Sequence, residues 1–265
     1  MKPVRIGCVK YLNARPLIHG WSRGTVDFDD PAALCRKLDR GDLDVALVSS
    51  LEFLRRPIYR IVDGVSISSR GEVYSVIVAH GGELARVKQI ELDPASETSV
   101  ALLRCLLAQR GLSPRLLDGR APATPQMDIP GLAGIRPCAA RLLIGDQAIR
   151  FRQQNPAHPV WDLGEEWNNV AHLPFVFALW LIRPEVGDTE EISDALRQLR
   201  NRNLQNLDDL ASSQTRISAE FCRKYYREHL FFDFGEREKA GLREFHRHCL
   251  LNKIDVASEM PLNLV

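Results

Sequence analysis

The chain has 265 residues, of which 45% are hydrophobic and 26% charged, with a formal net charge of +1. This length and composition suit one large domain or two ordinary lobes, and exclude a disordered or low-complexity chain. The near-neutral charge excludes a global field that would draw nucleic acid or an anionic membrane, and the longest apolar run, 173–182, is too short to span a bilayer.

The chain opens on Met1-Lys2-Pro3-Val4-Arg5-Ile6-Gly7, without an apolar stretch before a small-residue cleavage site. This reads as the approach to a strand, and a cytoplasmic protein is expected. Residues 4–9 are predicted as a short strand, after which Asn13 begins a short helix with Pro16 in its first turn. Asn13 either caps that helix or orients a polar ligand, since its amide both donates and accepts. A second strand is predicted over 25–28. Asp30-Pro31 starts a helix that Gly41 stops, and 44–48 has the continuous apolar character of a buried strand. Ser49-Ser50 then opens a helical turn at the carboxyl end of that strand, where open α/β sheets bind ligands. Strands are predicted over 59–62, 65–67 and 73–79. Ser75, inside the last of these, is either a small spacer or a ligand-facing hydroxyl.

Gly81-Gly82 reads as a boundary, after which the αβ rhythm restarts. A strand over 87–92 runs through Leu92-Asp93-Pro94-Ala95-Ser96-Glu97-Thr98-Ser99 into a helix that Gly111 ends. A strand that turns straight into a helix leaves N–H groups unpaired. Here Ser96, Thr98 and Ser99 crowd that turn without Lys or Arg. An N-cap accounts for one such hydroxyl; three together favour a site for a carboxylate or phosphate. A further strand is predicted over 112–117, and 118–131, with Pro122, Pro125 and Pro130, as a surface connection. A buried strand, 139–144, meets Gly145-Asp146 at the start of the next helix. Gly145 suits close backbone approach to a ligand, and Asp146 suits a helix cap. The most apolar strand, 173–182, is followed by a helical stretch over 188–210 with Asp188 and Glu191 spaced as a capping box. Two more helices are predicted, 218–229 and 236–251, whose basic residues are diluted by acids and read as solvated faces.

Cysteines 8, 35, 105, 138, 222 and 249 show no Cys-x-x-Cys spacing, and most stand in apolar stretches, which predicts reduced core thiols. His246 and His248 are two apart on a helix and point to different sides, so no metal site is expected. No cofactor is expected either, and oligomeric state is left open. The rhythm of elements predicts an α/β protein of two lobes with a ligand cleft between them. The first lobe comprises residues 1–80 plus 174–265 and the second 81–173, with crossing strands near 76–81 and 174–178.

Six motifs in order carry a resemblance to a known family. They are Tyr11-Leu12-Asn13-Ala14-Arg15-Pro16-Leu17; Gly41-x-x-Asp44-Val45-Ala46-Leu47-Val48; Gly71-x-Val73-x-Ser75-Val76; Leu92-Asp93-x-x-Ser96-x-Thr98-Ser99-Val100; Ile144-Gly145-Asp146; and Asp162-Leu163-Gly164-x-x-Trp167 followed by Leu173-Pro174-Phe175. Over most of its length the chain resembles the MqnA-type chorismate dehydratases of the futalosine route to menaquinone. That resemblance implies a two-lobed fold like type II periplasmic binding proteins. It also implies a hydro-lyase that removes water from chorismate to give 3-[(1-carboxyvinyl)oxy]benzoate. It assigns catalysis to Asn13 and Ser75, with Asp146 as the fallback protein base. Substrate contacts are expected at Ser50, Val76, Gly145, Asp146 and the hydroxyls of Ser96, Thr98 and Ser99. Departures from the family pattern stand at Ser49, where a Pro is expected, at Cys138-Ala139-Ala140-Arg141, and at Ala171-His172. The competing expectations are dihydroxynaphthoate synthase of the same pathway, which calls for a His base, and a non-enzymatic small-carboxylate binding protein.

Overall fold

A computed structural model describes residues 4–93, 95–119, 139–214 and 217–265. Pro94, Cys138 and the expected surface connection from residue 120 onward lie outside them. Among the described residues, ten strands form two five-stranded sheets. They are β1 (Ile6–Val9), β2 (Val26–Asp29), β3 (Val45–Ser49), β4 (Arg60–Ser69), β5 (Val76–His80), β6 (Gln89–Leu92), β7 (Arg115–Asp118), β8 (Ala139–Ile144), β9 (Val160–Asp162) and β10 (Phe175–Ile182). The helices are α1 (Arg15–Ile18), α2 (Pro31–Arg40), α3 (Ser50–Arg55), α4 (Glu97–Gln109), α5 (Gly145–Gln154), α6 (Leu163–Ala171), α7 (Thr189–Gln205), α8 (Leu207–Ser212), α9 (Ala219–Lys224) and α10 (Glu236–Leu251). None of the described helices is long and apolar enough to cross a membrane.

The first sheet has the order β2-β1-β3-β10-β4 and the second β7-β6-β8-β5-β9. In each, one strand arrives from the far side of the chain crossing and pairs antiparallel with both neighbours. β10 does so between β3 and β4, and β5 between β8 and β9. β3 is buried at every position, as its apolar run requires of a central strand covered on both faces. The two strands expected over 59–67 are one, β4, which shifts register against β10 and passes through Gly64 at φ 78°. Its outer edge is covered by the chain's end: Ile61 N donates to Asn263 O at 2.7 Å and Val265 N to Ile61 O at 2.9 Å. That pairing removes an open edge.

The expected boundary moves. Residues 76–80 were assigned to the first lobe, but β5 hydrogen-bonds along its length inside the second sheet. Gly81-Gly82 ends this strand instead of separating lobes, and all five β5 residues are buried. The chain therefore crosses between sheets over 70–75 and returns over 163–174. The return is pinned by α10, where a Cβ on Gly241 would stand 2.0 Å from Pro174 O, and by Trp167, whose indole N–H donates to the same carbonyl at 3.3 Å.

Two details near the C-terminus differ from expectation. Asp188, at the N-cap of α7, has φ 52° where a capping residue is ordinarily extended, and its side chain makes no cap bond; the capping box is absent. The helix expected over 218–229 is α9 followed by a π-helical turn, Tyr225–His229. Arg223, Lys224 and Arg227 are exposed or half-exposed, as the solvated-face reading expects, but Tyr225, Tyr226 and His229 are buried, and so are Lys239, His246 and His248 of α10.

Candidate active site

A narrow cavity lies between the sheets. Four of its contributors come from turns at strand ends, where backbone polar groups and short side chains meet. The first is the turn after β1. Tyr11 leads into a 3-10 turn, Leu12–Ala14, and Pro16 within α1 holds the chain direction. Asn13 lines the cavity, and its Oδ1 is buried without a hydrogen-bond partner among the described residues. A buried amide oxygen in that condition costs about 1–3 kcal/mol unless a ligand or water completes it.

Ser75 stands just before β5, after Tyr74 at φ 66°. A left-handed Tyr is strained, and the surroundings hold it there. The Asp162 carboxylate accepts from Val73 N at 3.0 Å and Tyr74 N at 2.8 Å, and also caps α6 through Gly164 N at 3.0 Å and Glu165 N at 3.1 Å. Burial pushes the Asp162 carboxyl up to about 6 while those amides pull it back. Arg152 lies over the Tyr74 ring at 3.8 Å and pairs with Glu72 at 2.6 Å. So fixed, Ser75 turns its carbonyl to Gly145 N at 2.8 Å, and its Oγ accepts from Tyr225 Oη at 2.6 Å.

The second sheet supplies the start of α4. The first intrahelical bond is Val100 N to Ser96 O at 3.1 Å, so the amides of Glu97, Thr98 and Ser99 precede the ladder. Ser96 is the N-cap residue, yet its side chain makes no cap bond. Ser96, Thr98 and Ser99 all line the cavity. The Thr98 hydroxyl also reaches across to the first sheet, contacting Ser49 Oγ and accepting from Leu51 N at 3.2 Å. Beside it the Glu97 carboxylate is ion-paired with Arg55 of α3.

The structure gathers Asn13, Ser75, Val76, Ser96, Thr98, Ser99 and Gly145 around one cavity. It does not bring Ser50 or Asp146 to it. The Ser50 hydroxyl is fully buried and donates to Val176 O at 2.7 Å, which ties it to β10. Asp146 Oδ1 accepts from Leu12 N at 2.9 Å and faces an outer groove with Lys10 and Arg15. It clasps the two sheets together behind Asn13. Gly145 has φ 53°, and a Cβ there would sit 3.0 Å from the Tyr11 ring, so this glycine admits the ring.

Three nearby residues were missed. Tyr11 lines the cavity, and burial together with Asp93, Asp30 and Asp146 pushes its phenol up, so it stays neutral. Its signal was its place two residues before Asn13. Glu97 stood unremarked between Ser96 and Thr98. Tyr225 is 150 residues from Ser75 in sequence, and nothing local marked it. Among the described lining residues there is no Lys, Arg or His, and Glu97 is the one carboxylate. Such a lining can hold an anion by neutral N–H and O–H donors and a helix dipole. No described cluster of three or more His, Cys, Asp or Glu could hold a metal ion.

Comparison with known proteins identifies relatives of this chain and of its fold. A protein of Thermus thermophilus named chorismate dehydratase is 30% identical over 265 residues, covering 92% of this chain and 94% of that one. Among solved structures, protein AF1704 from Archaeoglobus fulgidus superposes with a TM-score of 0.67 at 17% identity, over 95% of this chain and 98% of that one. The periplasmic aliphatic sulphonate binding protein SsuA from Escherichia coli gives 0.60 at 13%, over 97% and 94%. At such identities these two establish the fold alone, an α/β two-lobed architecture of the periplasmic-binding-protein type. A family model described as menaquinone biosynthesis matches residues 4–250, and the chain belongs to that family.

Proposed function

We propose that this chain is a chorismate dehydratase, a hydro-lyase converting chorismate to 3-[(1-carboxyvinyl)oxy]benzoate in menaquinone biosynthesis. The observation that carries the proposal is the cavity: Asn13 and Ser75 on one side, the start of α4 on the other, and no cationic side chain among the described lining residues. The 30% identity to a relative named for this reaction supports the same reading.

The chemistry asks little of the protein. On the ring carbon bearing the enolpyruvyl ether a C–H bond breaks and its electron pair becomes a ring double bond. The neighbouring C–OH bond breaks in turn, and proton and hydroxide leave as water. Aromatisation drives the step, so the enzyme must mainly hold two carboxylates and orient the reacting groups. The proton goes to the substrate's own enolpyruvyl carboxylate, since Glu97 is neutralised by Arg55 and no other carboxylate stands among the described lining residues. Asn13 and Ser75 hold that side chain and the departing hydroxyl. The amides of residues 97–99 with the Ser96 and Ser99 hydroxyls receive a carboxylate at the positive end of α4. Asp146, the alternative protein base, is occupied by Leu12 N and faces the outer groove. The lobe division follows the two sheets, with the crossings at 70–75 and 163–174 as hinge segments.

Incubating the protein with chorismate and following the aromatic product by absorbance and mass tests the reading. Formation of 3-[(1-carboxyvinyl)oxy]benzoate upholds it. Binding without turnover would favour a carboxylate-binding protein instead. Dihydroxynaphthoate synthase has less support, because no His is among the described cavity residues.

A further inference from the structure

One short segment reaches, from behind, one proposed catalytic side chain and the backbone next to the other. It is the π-helical turn Tyr225–His229 that continues α9. Tyr225 Oη donates to Ser75 Oγ at 2.6 Å, and Tyr226 Oη donates to the carbonyl of Leu12, the residue before Asn13, at 3.1 Å. A π turn places one extra residue in a helical ring, and such turns are frequent at functional sites.

The polarity of the Tyr225–Ser75 bond follows from counting hydrogens. Two hydroxyls share one hydrogen bond, which leaves one hydrogen over. The Tyr225 ring is fully buried, stacked on Phe221 at 5.7 Å and flanked by Tyr226 at 5.9 Å. Among the described residues Ser75 is the one hydrogen-bond partner of its hydroxyl. If Ser75 donated to Tyr225, the phenolic hydrogen would be stranded among rings, at a cost of about 1–3 kcal/mol. If Tyr225 donates, the spare hydrogen belongs to Ser75, which lines the cavity and can offer it to a ligand. Burial raises the phenol's pKa, so the donor is present throughout the neutral range. Linked hydroxyls also polarise one another, which makes Ser75 a stronger donor than a lone serine.

We propose that Tyr225 is a positioning residue that fixes Ser75 as a hydrogen-bond donor into the cavity, where it stabilises the departing hydroxide. This rests on the dehydration reading given above. An interaction that strengthens as charge develops on the leaving oxygen acts on kcat more than on KM.

The test is a double-mutant cycle on the full chain with Tyr225→Phe, Ser75→Ala and both together, followed by steady-state kinetics with chorismate. Tyr225→Phe keeps the ring and deletes the donor. The expected result is a fall in kcat of about ten- to a hundredfold with KM within about threefold. In the Ser75→Ala background the same change costs about twofold or less. An unchanged kcat in Tyr225→Phe overturns the proposal, and so does an equal loss in both backgrounds, which a merely structural role produces. If the wild-type protein leaves chorismate unchanged, the reaction assigned above fails by itself. The same four proteins are then compared by thermal unfolding without ligand: non-additive loss upholds the Tyr225–Ser75 bond, and additive loss overturns it.

Discussion

The two walls of the cavity are built on different principles. The start of α4 offers backbone amides and neighbouring hydroxyls, all within a few residues of one another, and its positive end is a property of any helix. The opposite wall offers two side chains, Asn13 and Ser75, and neither is placed by its own neighbourhood alone. Ser75 depends on Tyr225, on Asp162 clamping Val73 and Tyr74, and on Arg152 over the Tyr74 ring. Asn13 depends on Asp146 and Tyr226 gripping the two polar atoms of the Leu12 backbone. A ground-state grip can be local and tolerant. A group that meets developing charge needs a fixed position, and here that position is set by segments distant in the chain.

Four substitution experiments and one titration test this contrast, from the largest expected effect down. Ser75→Ala and Asn13→Ala lower kcat for chorismate by about a hundredfold or more, because each removes a group that acts on the reacting atoms; a change in KM alone would reduce them to binding groups like those of the other wall. Asp162→Ala leaves four N–H groups without their acceptor and releases Tyr74 from its left-handed conformation. It destabilises the fold by about 3 kcal/mol or more, read as a melting temperature lower by roughly 10 °C.

Asp162 also sets a pH dependence whose sign can be stated. Its carboxyl is raised from 3.8 to about 6 in the folded protein, so between those values the folded state holds a proton that the unfolded state has lost. This group's contribution to stability is therefore complete below about pH 4 and falls, by up to about 3 kcal/mol, as pH rises through 6. Urea unfolding of the wild type against Asp162→Asn from pH 4 to 7 measures it, and a gap that widens toward pH 7 in favour of the wild type reverses the sign.

Ser96→Ala and Ser99→Ala, on the tolerant wall, raise KM about three- to tenfold and leave kcat within about twofold, the loss of one neutral hydrogen bond each. The smallest effect is expected from Asp146→Asn. The amide oxygen still accepts from Leu12 N, so activity stays within about twofold; an abolished turnover with binding kept would restore Asp146 as the base.

The sequence alone determined whatever depends on neighbours in the chain. The apolar run of β3, the restart of the αβ rhythm and the hydroxyl-rich start of α4 were legible because burial, period and helix termini are local properties. Asn13 and Ser75 were named from motif and resemblance, although the residues around them also allowed a cap and a spacer. The tertiary structure alone decided that β5 joins the second sheet, since strand partners are chosen by long-range pairing and a Gly pair can end a strand as readily as a lobe. It alone withdrew Ser50 into a bond with Val176 O and turned Asp146 into a clasp. It alone put Tyr225 behind Ser75, in a stretch whose basic residues had suggested only a solvated face. Hydrogen bonds between residues far apart in the chain leave no periodicity to read, because each is fixed only when separate elements have already packed.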